Sequence, residues 1–174
     1  MMRRFLFLLL ALMLVLTGCS QTKQPAEAGA SEQAGDDTGG KLSCVLSISC
    51  ANLMESTALA EEKRPLVPED GWLLAPVECS FSAGESVFDL LYRETRARRI
   101  HMEYVQTPAY GSAYIEGIGN LYEFDGGPQS GWMFSVNGEF PNYGCSKVVL
   151  EDGDRVEWVY TCDLGQDVGS KAMG

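Results

Sequence analysis

The residues able to do chemistry in this chain are mostly cysteines and aromatics. Of six cysteines, Cys19 closes an apolar N-terminal run, and Cys44, Cys50, Cys79, Cys145 and Cys162 are spread through the remainder. There is no C-x-x-C pair and His101 is the only histidine, so no zinc spacing is present. A nucleophilic site needs a base that a third group orients. One histidine, with neither G-x-S-x-G nor H-E-x-x-H, leaves little to build one from. Gly117-Ile118-Gly119 lacks the third glycine of a dinucleotide fingerprint. Asp152 and Asp154 flank Gly153 in a turn pattern rather than a cation loop. The chain reads as a non-enzyme without a metal. A thiol enzyme using an odd cysteine, Cys145, is the catalytic alternative, against an inert buried thiol.

The aromatics carry more. Tyr110, Tyr114, Tyr122, Trp132, Phe134 and Tyr143 gather in glycine-rich loops and the strands they join. Flat aromatic surface beside Asn and backbone polar groups suits a planar ligand, a sugar or a protein partner. The candidate ligand-binding residues are Tyr110, Tyr114, Trp132, Phe134, Asn137 and Tyr143. The competing expectation is that Trp132, Phe134 and Trp158 fill a small core.

Those residues need strands to hold them. In Trp132 to Val136, Trp132, Phe134 and Val136 share one face; in Arg155 to Tyr160, Val156, Trp158 and Tyr160 do. A period of two lays such a row on a core. Asn137-Gly138 predicts a tight turn, Val148-Val149-Leu150 a short strand, and Glu151 to Asp154 a second turn. Upstream, Cys44, Leu46, Ile48 and Cys50 alternate along a first strand. Leu53 to Lys63 predicts a short helix, Trp72 to Leu74 a short extended piece, and Val77, Cys79 and Phe81 one face of a second strand. Ser86 with Asp89 resembles a capping box opening the main helix, with Val87, Phe88, Leu91, Tyr92 and Thr95 as its packed stripe. Arg93, Arg96, Arg98 and Arg99 gather at its end, where cations suit the dipole. Ile100 to Val105 predicts a further strand. The order is α+β: a β-grasp-like mixed sheet with one main helix packed on one face.

The N-terminus has its own signal. Arg3-Arg4 precede the apolar run Phe5 to Leu16, too short for an ordinary membrane span. Leu16-Thr17-Gly18-Cys19 resembles a bacterial lipobox, which implies cleavage before Cys19 and its lipidation. Residues 1–19 are thus expected to be a lipoprotein signal peptide. The expected location is the extracytoplasmic face of the cell membrane, held by acyl chains. Residues 20–40, without aromatics, form a polar tether with an average reach of about 25 Å. Residues 41–169 form the domain and residues 170–174 a tail; everything after Gly165 lacks a pattern. Twenty-four acidic against 13 basic residues make a poor partner for nucleic acid.

Four blocks together resemble the transcobalamin-like C-terminal domain family: Gly84 to Leu91, Ala113 to Ile118, Gly131 to Gly138 and Asp152 to Trp158. The resemblance spans about residues 42–169. It implies a β-grasp-like domain which, in vitamin B12 carriers, covers one side of the corrinoid while a separate helical barrel covers the other. No such barrel is present in this sequence. A β-grasp places its first and last strands side by side and parallel. That favours a Cys50–Cys162 bridge slightly over Cys145–Cys162, with Cys79 able to meet Cys44 across the first hairpin. Cys44 and Cys50, six residues apart on one strand, lie about 20 Å from each other and cannot pair.

The expectation is a lipid-anchored extracytoplasmic binding module that captures a cobalamin-like or other small planar ligand, with no resident cofactor. Its partners would be a membrane transporter or a separate helical-barrel protein. The alternative is a structural or adhesive module of the cell envelope that binds protein or glycan.

Overall fold

A computed structural model describes residues 41–170. The segments expected to be a signal peptide (1–19, with Cys19) and a tether (20–40), and residues 171–174, lie outside the described residues.

Among the described residues, seven strands form two sheets, with one α-helix beside them. The larger has the order β2-β1-β7-β6, from Trp72–Ser80, Ser43–Ser49, Arg155–Thr161 and Gly131–Val136. β1 runs parallel to β7, with Leu46 beside Val156 and Ile48 beside Trp158. β6 runs antiparallel to β7, with Phe134 beside Trp158 and Trp132 beside Tyr160. Register partners point to the same side of a sheet, so these residues form one apolar face. The helix α1, Val87–Arg98, buries Val87, Leu90 and Leu91 in the same core as Leu46, Ile48, Val156 and Trp158. The smaller sheet, β3-β4-β5, comprises Met102–Thr107, Ser112–Ile118 and Leu121–Tyr122. Its Ala113, Ile115 and Ile118 complete that core. The fold is the α+β arrangement expected, with a mixed sheet and the first and last strands parallel.

The capping box is formed. Ser86 Oγ accepts from Asp89 N at 3.2 Å, and Ser86 N donates to Asp89 Oδ2 at 3.0 Å. The helix ends at Arg99, whose φ of 59° is left-handed. Its buried face differs from the expected stripe: Leu90 and Glu94 are buried, whereas Phe88 and Tyr92 are half-buried and pack against Tyr104 of β3. Glu94 is accommodated there because Arg93 and Arg98 pair with it. Two of the four helix-end arginines are therefore committed within the fold.

Four local expectations are corrected. Residues 53–63 form no α-helix; a 3-10 turn, Ala51–Leu53, is followed by bends that lead to another, Arg64–Leu66. Leu53 and Leu59 anchor this segment in a second small core with Cys50, Leu121 and Tyr160. The pieces expected at Trp72 and Val77 are one nine-residue strand. Pro76 is tolerated within it because β2 is a sheet edge. Val148 to Leu150 forms no strand but straps the start of α1, with Val87 N donating to Val148 O and Leu150 N to Glu85 O. The segment after Gly165 is ordered through Asp167, which accepts from Asn52 Nδ2 and Cys162 N, and from the Thr161 hydroxyl.

None of the three bridges considered, Cys50–Cys162, Cys145–Cys162 and Cys44–Cys79, is formed: Cys44, Cys50, Cys79, Cys145 and Cys162 are all free thiols. Cys44 and Cys79 do face each other across β1 and β2. Phe81 N donates to Leu42 O, which makes Leu42–Phe81, and two residues on Cys44–Cys79, hydrogen-bonded pairs. Side chains at such pairs stand farther apart than at the alternate positions, whereas a disulfide needs close Cβ atoms. For Cys50 the register decides. Ser49 pairs with Val159, so Cys50 aligns with Tyr160, and Cys162 lies two residues beyond. Cys162 Sγ turns instead to Asn52 O at 3.7 Å.

Candidate functional site

Three of the candidate residues converge. Tyr110 lies on the turn joining β3 to β4, where Tyr110 N and Gly111 N both donate to Thr107 O. Tyr114 stands on β4 opposite Val105 of β3. Tyr143 comes from the loop between β6 and the 3-10 turn Cys145–Lys147. Together with Val105, Pro141 and Asn142 they line a groove of about 500 Å³. Tyr110 is 73% exposed, Tyr143 55% and Tyr114 48%, far from the burial expected of rings that fill a core.

A clasp that the sequence did not reveal fixes the Tyr143 loop. Ser146 N donates to Ser112 Oγ and Ala113 N to Ser146 Oγ, both at 3.1 Å. Cys145 is buried beneath, its thiol donating to Ala113 O at 3.5 Å. Gly144 allows the approach: a Cβ there would fall 2.1 Å from Ser112 Oγ. Each of these residues is unremarkable alone. Only the docking of two segments more than 30 residues apart makes them a unit.

A second groove, of about 290 Å³, lies on the other side of Tyr114 and is lined by Glu123, Phe124, Pro128, Trp132 and Leu164. Of the eight exposed large hydrophobic residues among the described residues, six line one of these two grooves. Apolar exposure is thus concentrated on this face rather than scattered singly. A third depression, of about 340 Å³, includes Ser49, Ser135, Glu157 and Phe140 and contains none of the candidate tyrosines.

Tyr114 divides the two grooves and donates through its hydroxyl to Glu123 Oε2 at 2.5 Å. Burial, then the Glu123 hydrogen bond and the Glu123 and Glu116 charges, push its phenol up to about 12. It is therefore a neutral donor at ordinary pH. Glu116 and Glu123 are adjacent, with Glu123 N donating to Glu116 O. Among the described residues neither carboxylate has an ion-pair partner.

The other candidates stand elsewhere. Trp132 lines the second groove, but its Nε1 donates to Leu121 O at 2.8 Å and its ring meets Tyr160 edge-on at 5.2 Å. Phe134 packs on Trp158 at 5.2 Å and lines neither groove. Asn137 and Gly138, with φ of 53° and 82°, form the expected tight turn. Asn137 Nδ2 donates to Asp154 Oδ1 at 2.8 Å and Asn137 Oδ1 accepts from Arg155 N at 2.9 Å. Its side chain thus joins the two turns instead of reaching the groove.

Among the described residues the cysteines offer no activated nucleophile. Burial raises the Cys145 thiol, and it pushes Cys44 and Cys50 up to about 11. No group of three or more His, Cys, Asp or Glu residues is placed to hold a metal ion among the described residues.

No curated protein matches the chain. A crystal structure of haptocorrin in complex with Cbi aligns at TM-score 0.48 and 13% identity, over 69% of this chain and 25% of the haptocorrin chain. The chain thus spans about a quarter of that protein. A Ruminococcus gnavus ATCC 29149 structure, provisionally described as a metal-binding protein, aligns at TM-score 0.42 and 14% identity, over 70% of this chain and 97% of that one. The family model described as Domain of unknown function (DUF4430) matches residues 84–162. That span contains all four blocks of the transcobalamin-like resemblance. Residues 84–162 of this chain therefore resemble a DUF4430 domain.

Proposed function

We propose that the protein is a binding module whose ligand face is the groove between Tyr110, Tyr114 and Tyr143, and that it acts without catalysis. The convergence of three exposed rings from separate segments on one apolar groove carries this reading. Groove walls of this kind take the flat apolar body of a small ligand, and neighbouring backbone groups orient it. A cobalamin-like ligand is the form that the family resemblance implies, and another planar molecule fits the same chemistry.

The module is held on the extracytoplasmic face of the membrane by lipid on Cys19. The 20–40 tether lets the domain stand clear of the headgroups, and captured ligand passes to a membrane transporter. A thermal-shift series on the full-length protein with cobalamin, cobinamide and haem tests this reading. A ligand that binds the native state raises the midpoint by the linkage relation RT ln(1 + [L]/Kd). A saturable rise, reduced in Tyr110→Ala and Tyr143→Ala, is expected. No rise with any planar ligand, together with retention of envelope protein or glycan, would replace it with the adhesive reading.

A further inference from the structure

The charge around the groove narrows the class of ligand, given the reading above that this groove is the ligand face. Glu116 and Glu123 are half-buried beside Tyr114 without an ion-pair partner among the described residues. Glu123 lines the second groove and accepts from the hydroxyl of Tyr114, the residue that both grooves share. Tyrosine rings present a negative face that attracts a cation within about 6 Å of the ring centre. The whole chain has a net charge of −11, which draws cations toward such a cleft. One cation lies beside the groove: Lys147 Nζ would be 3.5 Å from a Cβ built on Gly111.

We propose that the ligand of this face is a small organic cation, with its apolar body between Tyr110 and Tyr143 and its positive charge against Tyr114 and Glu123. The rings supply contact area that tolerates many shapes, and the carboxylate discriminates by charge. Glu123 then acts on the ligand both directly and through the phenol it orients.

The test compares probes of one shape and different charge on the full-length protein: choline, its uncharged carbon isostere dimethylbutanol, and the matching carboxylate dimethylbutanoate. Binding is followed by the tyrosine-ring signals in NMR titrations. Choline should shift the groove tyrosines saturably and bind at least about tenfold more tightly than dimethylbutanol, in line with a cation–π contact reinforced by a carboxylate. Glu123→Gln should reduce that preference to the part the rings supply while leaving the fold intact. Equal binding of choline and dimethylbutanol would overturn the inference and leave the groove as an uncharged-ligand site. Preference for dimethylbutanoate, lost in Lys147→Met, would overturn it in favour of an anion. No shift of the groove tyrosines by any probe would overturn it as well; the planar-ligand series then decides separately whether the groove binds at all. Tighter binding of an oligolysine peptide than of choline would assign the face to a basic protein segment and overturn the small-molecule form.

Discussion

The Tyr114 hydroxyl donates to the Glu123 carboxylate at 2.5 Å, and that pair stands where two aromatic grooves meet. It couples the titration of the site to its shape. A phenol held neutral by burial and two carboxylates keeps donating over the whole physiological range.

That coupling is visible to a pH titration. Tyr114 should ionise only at about 12, above the ordinary tyrosine value of about 10. Its folded pKa is raised, so its contribution to stability is complete below about 10 and is lost as pH rises through about 12. Tyr122 and Tyr160 are raised as well, so spectrophotometric titration of the wild type should show several late tyrosines; one of them should be absent from Tyr114→Phe and should move down in Glu123→Gln. An unchanged transition in Glu123→Gln would mean that the pair is not formed in solution.

The cysteines give a second prediction. All five described thiols are raised, chiefly by burial, and the thiolate is the reactive species. The native protein at neutral pH should resist alkylation at these positions and should expose them on unfolding. Rapid modification of Cys145 in the folded protein would restore the thiol-enzyme alternative.

Gly144 tests how the groove is built. Gly144→Ala places a methyl where Ser112 Oγ and Cβ already lie, and overpacking of this kind costs about 1–3 kcal/mol. Either the Tyr143 loop moves off β4 or the protein loses that stability. The expected result is a lowered thermal midpoint together with ligand affinity weakened at least about tenfold. Ser146→Ala, which removes one half of the clasp, should shift affinity in the same direction by less.

Asn137 separates architecture from binding. Asn137→Ala loses the bonds to Asp154 and Arg155 and places a residue with a Cβ but no compensating side chain at positive φ. Together these should cost about 2–3 kcal/mol. Asn137→Gly, which relieves only the backbone, should recover roughly 1 kcal/mol of that. Ligand affinity of the folded fraction should be unchanged in both, as measured by titration.

The Asn137 case shows what a linear reading can and cannot supply. The Asn-Gly pair announced a turn, because positive φ at two successive residues is a backbone property that residue type reports directly. The alternation in β1, β6 and β7 and the Ser86–Asp89 cap were legible for the same reason: each is a local rule with a fixed spacing. What the Asn137 side chain does was not legible, since its partner Asp154 is brought near only by the pairing of β6 with β7. The Ser112–Ser146 clasp is likewise a tertiary event with no local signature. Tyr110 and Tyr143 stood out as aromatics in loops; Tyr114, read with them, lies instead on strand β4 with its ring exposed, whereas Phe134 sits on the alternating face of a strand and packs on Trp158 at the core. The Cys50–Cys162 expectation followed from the correct strand order and failed on register by two residues, a distance that strand order does not encode.

The central claim is that the groove of Tyr110, Tyr114 and Tyr143 is the ligand face, and equilibrium titration of a Tyr110→Ala/Tyr143→Ala double variant tests it most directly. Both rings are mostly exposed, so their removal should leave the thermal midpoint near that of the wild type, as surface changes usually do. The account predicts one equivalent of ligand bound by the full-length wild type and affinity weakened at least about tenfold in the double variant, in keeping with about 1–2 kcal/mol lost per aromatic contact. Unchanged affinity in a folded double variant would contradict it and place the binding face elsewhere on the domain.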